Sequence, residues 1–373
     1  MLQDSVERLL ADRYNFEQRR TYAQAPEGWS RELWAQYADL GLLALPFEER
    51  YRGFGGGPVE IMIVMEAFGR ALVLEPYFAT VVLGGGFLRL GASEEQRERF
   101  LPEIASGHLC LAFAQTERHS RYDLTDVSTR ARRDGQGWIL DGEKSLVLHG
   151  DSADKLIVTA RTAGGRHERG GIGLFVVDAK AGGVSRQGYP TQDGLRAAEV
   201  TLSGVKAGPE DVIGDPENAT PLLERVVDEA IAALAAEAVG AMTALHELTI
   251  EYLKTRGQFG VPIGSFQVLQ HRAVDMLVAL EQARSMAMFA AMMAQTEDGA
   301  ERRRAISAAK VQIGRSGRFI GQQAIQLHGG VGMTMEFKAG HYFKRLTMID
   351  TAFGDADYHL AKVADAGGLI AAA

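Results

Sequence analysis

The sequence predicts an α+β fold in which a helical N-terminal domain, a middle domain of antiparallel β-strands and a C-terminal four-helix bundle follow one another. Three observations support this prediction. Apolar residues recur at spacings of three and four near both ends of the 373-residue chain, as in amphipathic helices. Between these ends, short β-rich runs alternate with glycine-containing turns. We therefore expect domains at residues 1–108, 109–216 and 217–373.

The first domain is predicted to contain several helices. Leu2, Val6 and Leu9 form one apolar stripe. Pro58 occupies a favourable first helical position, and Ser93 precedes two acidic residues and a glutamine in the order of a capping box. We therefore expect helices that begin at Pro58 and directly after Ser93.

The middle domain is predicted from six runs rich in β-branched and aromatic residues, separated by Asp-Gly and Gly-Gly pairs. The runs are Leu109–Ala114, Val127–Arg133, Trp138–Leu140, Leu156–Thr159, Ile172–Val177 and Ala198–Leu202.

The last domain begins with two long helical patterns, 222–254 and 265–294, joined by a short loop. Glycines and Pro262 break the helix there, and Ser265 is expected to be the N-cap of the second helix. The loop also carries Arg256 and Phe259. A guanidinium, an aromatic face and free N–H groups at a helix start suit a phosphate attached to a flat base. An ordinary helix connection with a capping arginine is the alternative.

The composition limits the kinds of partner. A net charge of −8 argues against nucleic acid, and no apolar run is long enough to span a membrane. The single cysteine, Cys110, fits a reducing compartment, and no residues have metal-ligand spacing. We therefore expect a cytoplasmic protein.

Four blocks of sequence resemble the acyl-CoA dehydrogenase family. The first is the loop with Arg256-Gly-Gln-Phe259-Gly and then Phe266-Gln267, and the second is Gln326-Leu-His-Gly-Gly-Val-Gly332. Ala112–Glu117 and Leu40–Pro46 are similar to two further segments of the family, and all four follow in the family's order. The resemblance implies the acyl-CoA dehydrogenase fold over essentially the whole chain.

The resemblance also implies a cofactor and a reaction. Members of this family oxidise an acyl-CoA substrate between its α and β carbons with FAD, and an electron-transferring flavoprotein reoxidises the flavin. The implied FAD-binding residues reach the nucleotide end mainly across a dimer interface, except Thr116, which lies at the flavin. They are Arg256, Gln258, Phe259, Gln267, Gln326, Gly329, Gly330 and Thr116.

The flavin end departs from the family pattern. Two small residues of the flavin and substrate loop are replaced by Arg121 and Tyr122. Leu146 and Leu148 occupy the positions of a flavin-stacking tryptophan and a threonine hydroxyl. These changes indicate either drift at a tolerant surface or a flavin pocket that is no longer used.

The residue at the position of the catalytic base also differs from the family pattern. Phe353 stands where the family has its glutamate, and Ala230 stands at the alternative base position. Asp355 and Glu229 are the nearest carboxylates, and they are weak candidates for a base. A local turn or cap is the alternative role for Asp355.

The glycines Gly84, Gly85 and Gly86 interrupt a helical pattern. Each glycine inside a helix lowers the stability of the helix by roughly 1 kcal/mol relative to alanine. In the family this segment forms a wall of the acyl pocket, so one hypothesis is that the glycines widen it. Close helix packing, or a loop, is the alternative.

Within the family, the chain most resembles the small subunit of two-chain enzymes that act on dicarboxylyl-CoA thioesters such as pimeloyl-CoA. The expected function is therefore that of a base-lacking subunit that completes the FAD site of a large acyl-CoA dehydrogenase subunit in a heterotetramer. Two alternatives remain. One is a self-sufficient homotetramer with Asp355 or Glu229 as base, and the other is a non-enzymatic binding or scaffold protein on the same fold.

Overall fold

The computed structural model describes residues 2–368, which form two compact units. The helical unit comprises residues 1–20, 58–73 and 231–373, apart from the few terminal residues outside the described range. The β unit comprises residues 21–57 and 74–230.

Eleven α-helices are found within residues 2–368. They are α1 (Leu2–Arg13), α2 (Phe16–Ala23), α3 (Arg31–Asp39), α4 (Pro58–Ala71), α5 (Gly85–Gly91), α6 (Glu94–Ala105), α7 (Thr220–Thr255), α8 (Gln267–Met293), α9 (Gly299–His328), α10 (Ala339–Thr351) and α11 (Ala356–Asp365). A π-helix, Phe78–Gly84, runs directly into α5.

The strands of the β unit are β1 (Leu111–Ala114), β2 (Arg130–Asp134), β3 (Gly137–Leu148), β4 (Lys155–Arg161), β5 (Ile172–Asp178), β6 (Val184–Pro190), β7 (Arg196–Ala207) and β8 (Val212–Ile213). A small hairpin in the helical unit adds β9 (Gly257–Gln258) and β10 (Val261–Pro262).

The sheet of the β unit has the order β6-β7-β3-β2-β4-β5-β8, with β1 paired to β4. Most neighbours are antiparallel, but β1 and β2 both pair with β4 in parallel. The prediction of an antiparallel domain is corrected in this respect. The 40 residues between Ala114 and Lys155 include the β2–β3 hairpin, and a connection of that length lets β4 run in the direction of β1.

A core cluster of the β unit draws on alternate residues of its strands, while β4 and β5 are buried on both faces. Val147, Leu156, Phe175 and Val200 are among its buried members. Strand β6 was not predicted, because most of its side chains are exposed or half-buried and its sequence contains Gly188 and Pro190.

Three predicted helix starts were tested by the structure. Pro58 begins α4, and Ser93 and Gln96 form the predicted capping box of α6. The predicted N-cap at Ser265 is wrong, since α8 begins at Gln267 with Phe266 as its cap residue. The Ser265 hydroxyl instead donates to the Pro262 carbonyl at 2.8 Å, inside a 3₁₀ turn that precedes the helix.

In the helical unit, α4 and α7 cross at backbone contact. A Cβ placed on Gly69 would lie 1.9 Å from the Glu237 carbonyl oxygen, and one on Gly240 would lie 1.9 Å from that of Glu66. The two glycines therefore allow a crossing that no larger residue would permit. The Glu237 side chain on α7 is held by Arg345 of α10. Its carboxylate accepts two hydrogen bonds from the Arg345 guanidinium at 2.6 and 2.8 Å.

Within residues 2–368, no helix combines the length and the apolar character required to cross a bilayer.

Candidate cofactor and substrate site

The β9–β10 hairpin presents an aromatic side chain at its tip. Phe259 is 88% exposed and has a left-handed backbone, with φ of 55°. Its ring lies 6.0 Å from that of Phe266 in an edge-to-face arrangement. Arg256, at the base of the hairpin, is exposed, and its carbonyl accepts the Ile263 N–H at 2.8 Å. The backbone of the hairpin is therefore fixed, while the guanidinium and the ring face outward.

Gln258 and Gln267 are exposed on the same connection. The Gln258 amide donates to the Gly257 carbonyl at 2.8 Å, and Gln267 is the first residue of α8. Both amides are accessible to a bound group.

The C-terminal end of α9 carries the second block. Gln326, Gly329 and Gly330 are exposed there. Gly329 follows the helix with φ of 62°, and its N–H bonds the Gln326 carbonyl. A Cβ on either glycine would meet nothing within 4 Å, so packing inside this chain does not account for their small size.

A cluster of rings joins these two blocks inside the helical unit. The Tyr252 ring, one turn before Arg256, lies 4.6 Å from His328, and His328 lies 5.1 Å from Phe337. The His328 Nδ1 atom is 2.8 Å from the Ala324 carbonyl, and burial lowers the pKa of the ring. His328 therefore packs as a neutral residue that brings the ends of α7 and α9 together.

Thr116 lies in the β unit on the loop after β1, which a buried ion pair holds in place. The Lys144 ammonium donates to the Glu117 carboxylate at 2.8 Å and to the Gln115 carbonyl at 3.2 Å. Burial lowers the pKa of Lys144 to about 8. Burial would raise the pKa of Glu117, but the neighbouring ammonium outweighs it and the pKa is lowered. The loop backbone is thus fixed although its sequence departs from the family pattern.

A carboxylate lies beside Leu146, the residue at the expected flavin-stacking position. The Glu199 carboxylate accepts hydrogen bonds from Ser145 and Tyr189 hydroxyls, both at 2.8 Å. It also lies 3.4 Å from the Leu146 N–H, and Leu146 is 44% exposed with φ of 51°. Burial, with the bond to Glu199, raises the pKa of Tyr189 to about 12. The exposed side chain here is the aliphatic Leu146, and the Ser145 and Tyr189 hydroxyls are engaged by the Glu199 carboxylate.

The segment at the expected base position forms a strained turn between α10 and α11. Phe353 has a φ of 57° and is half-buried. The Lys310 ammonium donates to the carbonyls of Ile349, Asp350 and Ala352 at 2.5, 3.0 and 2.9 Å.

The His359 ring also holds this turn. His359 Nε2 lies 3.0 Å from the Phe353 carbonyl, and Nδ1 lies 3.1 Å from the Ser307 hydroxyl. Burial lowers the pKa of Lys310 to about 7 and that of His359 to about 4.

Asp355 caps α11, since its carboxylate accepts the Tyr358 N–H at 2.9 Å. The cap that was the alternative role for Asp355 is therefore present.

Glu229, the second weak candidate for a base, is bound by two arginines of the β unit. Arg89 donates to one of its carboxylate oxygens at 2.5 Å and Arg225 to the other at 3.1 Å. Both oxygens are therefore engaged by cations, which favours a structural or ligand-positioning role over proton abstraction.

The three glycines are helical and buried. A Cβ on Gly84 would lie 2.6 Å from Leu111, one on Gly85 2.8 Å from the Phe47 ring, and one on Gly86 3.2 Å from Val226. Neighbouring side chains thus fill the space that the glycines leave. This geometry favours close packing over a widened pocket.

Three of the buried or half-buried groups described above, Lys144, Glu199 and Lys310, were not singled out from the sequence. Lys310 had a detectable signal, because it lies in the apolar run Ala308-Ala309-Lys310-Val311 on a predicted helix. Glu199 had none, since its hydrogen-bond partners come from two other strands, β3 and β6. No set of His, Cys, Asp or Glu side chains suited to a metal occurs within residues 2–368.

Family models match nearly all of the chain. The acyl-CoA dehydrogenase N-terminal domain matches residues 1–108, the middle domain residues 112–205 and the C-terminal domain residues 223–368. Acyl-CoA dehydrogenase FadE12 of Mycobacterium tuberculosis is 31% identical over 313 residues, which are 82% of this chain and 80% of that protein.

Two solved structures share the fold. A variant of the Tcur3481-Tcur3483 steroid ACAD is 29% identical, with a TM-score of 0.87 over 98% of this chain and 96% of that chain. The ChsE4-ChsE5 complex from Mycobacterium tuberculosis is 24% identical, with a TM-score of 0.88 over 100% and 97% of the two chains. The predicted fold, with a helical, a β and a second helical domain, is confirmed.

Proposed function

Because the chain belongs to the acyl-CoA dehydrogenase family, we propose that it is the small, base-lacking subunit of a two-chain acyl-CoA dehydrogenase. In this proposal it contributes the nucleotide-binding half of a site for FAD, and a large subunit contributes the flavin seat and the base. The observation that carries the proposal is the unequal state of the two halves in this one chain. The residues expected to bind the nucleotide are exposed, whereas by the resemblance Leu146 stands at the flavin-stacking position and Phe353 at the position of the base.

The residues of the helical unit fit the nucleotide end of FAD. Arg256 would pair its planar guanidinium with the diphosphate, and Phe259 would offer its exposed face to the adenine or ribose. Gln258 and Gln267 would donate hydrogen bonds beside them.

At the end of α9, Gln326 would hydrogen-bond the cofactor and the open space over Gly329 and Gly330 would admit it close to the backbone. Thr116 remains a proposed contact on the β unit. FAD supplies, when bound, the hydride acceptor that no protein side chain provides.

The large subunit would supply the base. Asp355 caps a helix and Glu229 is held by two arginines, so neither carboxylate is placed to remove a proton in this chain. A self-sufficient homotetramer would have to release one of them from these partners.

The proposed substrate is a dicarboxylyl-CoA such as pimeloyl-CoA, or another bulky acyl-CoA, by the resemblance stated above. One relative of known structure is named as a steroid ACAD with two gene designations, which agrees with a bulky substrate and a two-chain assembly. We further propose a cytoplasmic location, an electron-transferring flavoprotein as the acceptor, and domain boundaries near residues 108 and 216.

The first experiment measures the visible spectrum and the mass of the chain purified alone. The measurement is repeated after co-expression with an acyl-CoA dehydrogenase that has an intact Glu-Gly-Thr base segment. We expect colourless protein alone, and a yellow complex that oxidises an acyl-CoA.

Yellow protein that forms a homotetramer and reduces its own flavin with an acyl-CoA would contradict the proposal. A complex with neither flavin nor turnover would favour the scaffold alternative.

A further inference from the structure

Helix α8 is apolar on two opposite faces. One face, which includes Leu280, is buried inside the helical unit. The opposite face carries four large apolar side chains that are between 52% and 70% exposed, namely Val274, Val278, Met288 and Met292. Because a helix that is apolar all round is normally buried, this second face is expected to contact another protein surface.

The exposed side chains belong to a regular seam along α8. The α8 seam comprises residues at alternating spacings of four and three, namely Val274, Val278, Glu281, Ser285, Met288 and Met292. This is the repeat with which one helix packs along another in a coiled coil. The seam therefore fits a second helix as its partner.

The order of side chains along the α8 seam is the same from both ends. Two apolar residues at each end enclose two polar residues at the centre. A twofold-symmetric contact between identical chains needs such a self-complementary order, whereas a contact with a different chain does not. Two antiparallel copies of the seam align apolar with apolar and polar with polar side chains: Val274 with Met292, Val278 with Met288 and Glu281 with Ser285.

The centre of the seam carries charges of both signs. Glu281 is exposed, and Arg284 lies beside it with 3.7 Å between Nε and Oε1. Arg284 is also held by Glu66 of α4 at 2.6 Å. In the antiparallel arrangement, Glu281 of each copy comes near Ser285 and Arg284 of the other copy. The two carboxylates near the axis are therefore compensated by a hydroxyl and a cation.

We propose that the α8 seam is the contact between two copies of this chain, which pack antiparallel about a twofold axis at the level of Ala283. The seam begins about 10 Å along the helix axis from Gln267, so the β9–β10 hairpin stays accessible to the large subunit. The inference goes beyond the proposed function. Under that function, the seam joins two pairs of chains through their small subunits.

Disulfide cross-linking of the purified chain tests the register of this contact. The native Cys110 is buried and does not interfere. A chain with both Val278→Cys and Met288→Cys should form a covalent dimer under mild oxidation, because each new thiol faces the other position of the second copy. The two positions are about 15 Å apart along one helix, so no bond can form within a chain and neither single variant should cross-link.

The mass of the chain in solution gives a second measurement. Met288→Glu places a charge opposite Val278 of the second copy, so the dissociation constant for self-association should rise about tenfold or more. Met288 is exposed, so its replacement should not unfold the chain. Leu360→Glu, at an exposed apolar position of α11 in the same unit, is the matched control and should leave self-association unchanged.

The outcomes separate this proposal from the proposed function. Cross-linking of a single variant to itself would indicate a parallel or random contact, and a chain that stays monomeric has no such contact; either result would overturn the proposal. Loss of the large subunit from the two-chain complex in Met288→Glu would show that the large subunit covers the seam instead. A complex without flavin or turnover would overturn the proposed function, yet the cross-linking result would still be readable.

Discussion

At the scale of single residues, the two buried lysines of residues 2–368 perform similar tasks in different units. Lys144 and Lys310 both have 0% exposure, and each donates to carbonyls beside a segment that the family uses for flavin or for the base. Both segments thus have a fixed backbone, although the residues that the family resemblance leads us to expect there are replaced. That combination agrees with a subunit whose fold is required and whose own site is not.

The buried Lys310 predicts a pH dependence of stability. Its pKa is about 7 in the folded chain and near 10.5 ordinarily, because burial disfavours the ammonium. Between these values the unfolded chain binds more protons, so the free energy of unfolding should rise with pH. Relative to Lys310→Met, the unmodified chain should gain up to about 1.4 kcal/mol per pH unit from pH 7 to about 9.5.

Urea unfolding at several pH values measures this difference. Lys254→Met, at an exposed position, is the control and should leave the pH profile unchanged. Parallel profiles for Lys310→Met and the unmodified chain would show that Lys310 keeps an ordinary pKa in the folded state.

At the scale of elements, the contact of α4 with α7 depends on two glycines. Gly240→Ala would place a methyl group 1.9 Å from the Glu66 carbonyl oxygen, so the helices must separate and lose packing. We expect a loss of more than about 2 kcal/mol in the free energy of unfolding. Chemical denaturation measures it.

Gly182→Ala is the matched control, because a Cβ there meets nothing within 4 Å and the backbone is not left-handed. Its unfolding midpoint should not fall. If Gly240→Ala were as stable as this control, the close crossing of α4 and α7 would be incorrect.

The elements also show what the sequence could predict. Helix starts with a local signal, such as Pro58 and the Ser93 capping box, were found because the signal lies within four residues. Strand β6 was missed, because an edge strand with exposed side chains has no apolar alternation. The parallel pairing of β1 with β4 depends on contacts between distant segments, which no local pattern contains.

In the candidate site too, the sequence could predict some residues and not others. Arg256, Phe259 and Gln326 could be identified because they lie in compact motifs. The grouping of Glu199 with Ser145 and Tyr189, and that of Arg89 with Glu229, arises only when separate strands or helices pack together.

At the scale of the whole molecule, the nucleotide end and the flavin end of the proposed FAD site lead to separate predictions about assembly. The residues proposed to bind the nucleotide are exposed and contribute little to the internal packing of this chain, so their replacement should not affect its fold. If the large subunit supplies the flavin seat and the base, as proposed, bound FAD is expected only in the two-chain complex. One FAD per pair of chains follows from this division.

Arg256→Gln and Phe259→Ala are therefore expected to lower the flavin content of the two-chain complex severalfold, without lowering the unfolding midpoint of the isolated chain. The reason is that Phe259 is 88% exposed and Arg256 is exposed, so neither side chain contributes much burial within the chain. Flavin absorbance per protein mass measures the first effect and thermal unfolding the second. Arg132→Gln, which removes an exposed arginine paired with Asp141, is the control for charge. Two FAD molecules per pair of chains, or a full flavin content in both variants, would show that this chain binds its cofactor in another way.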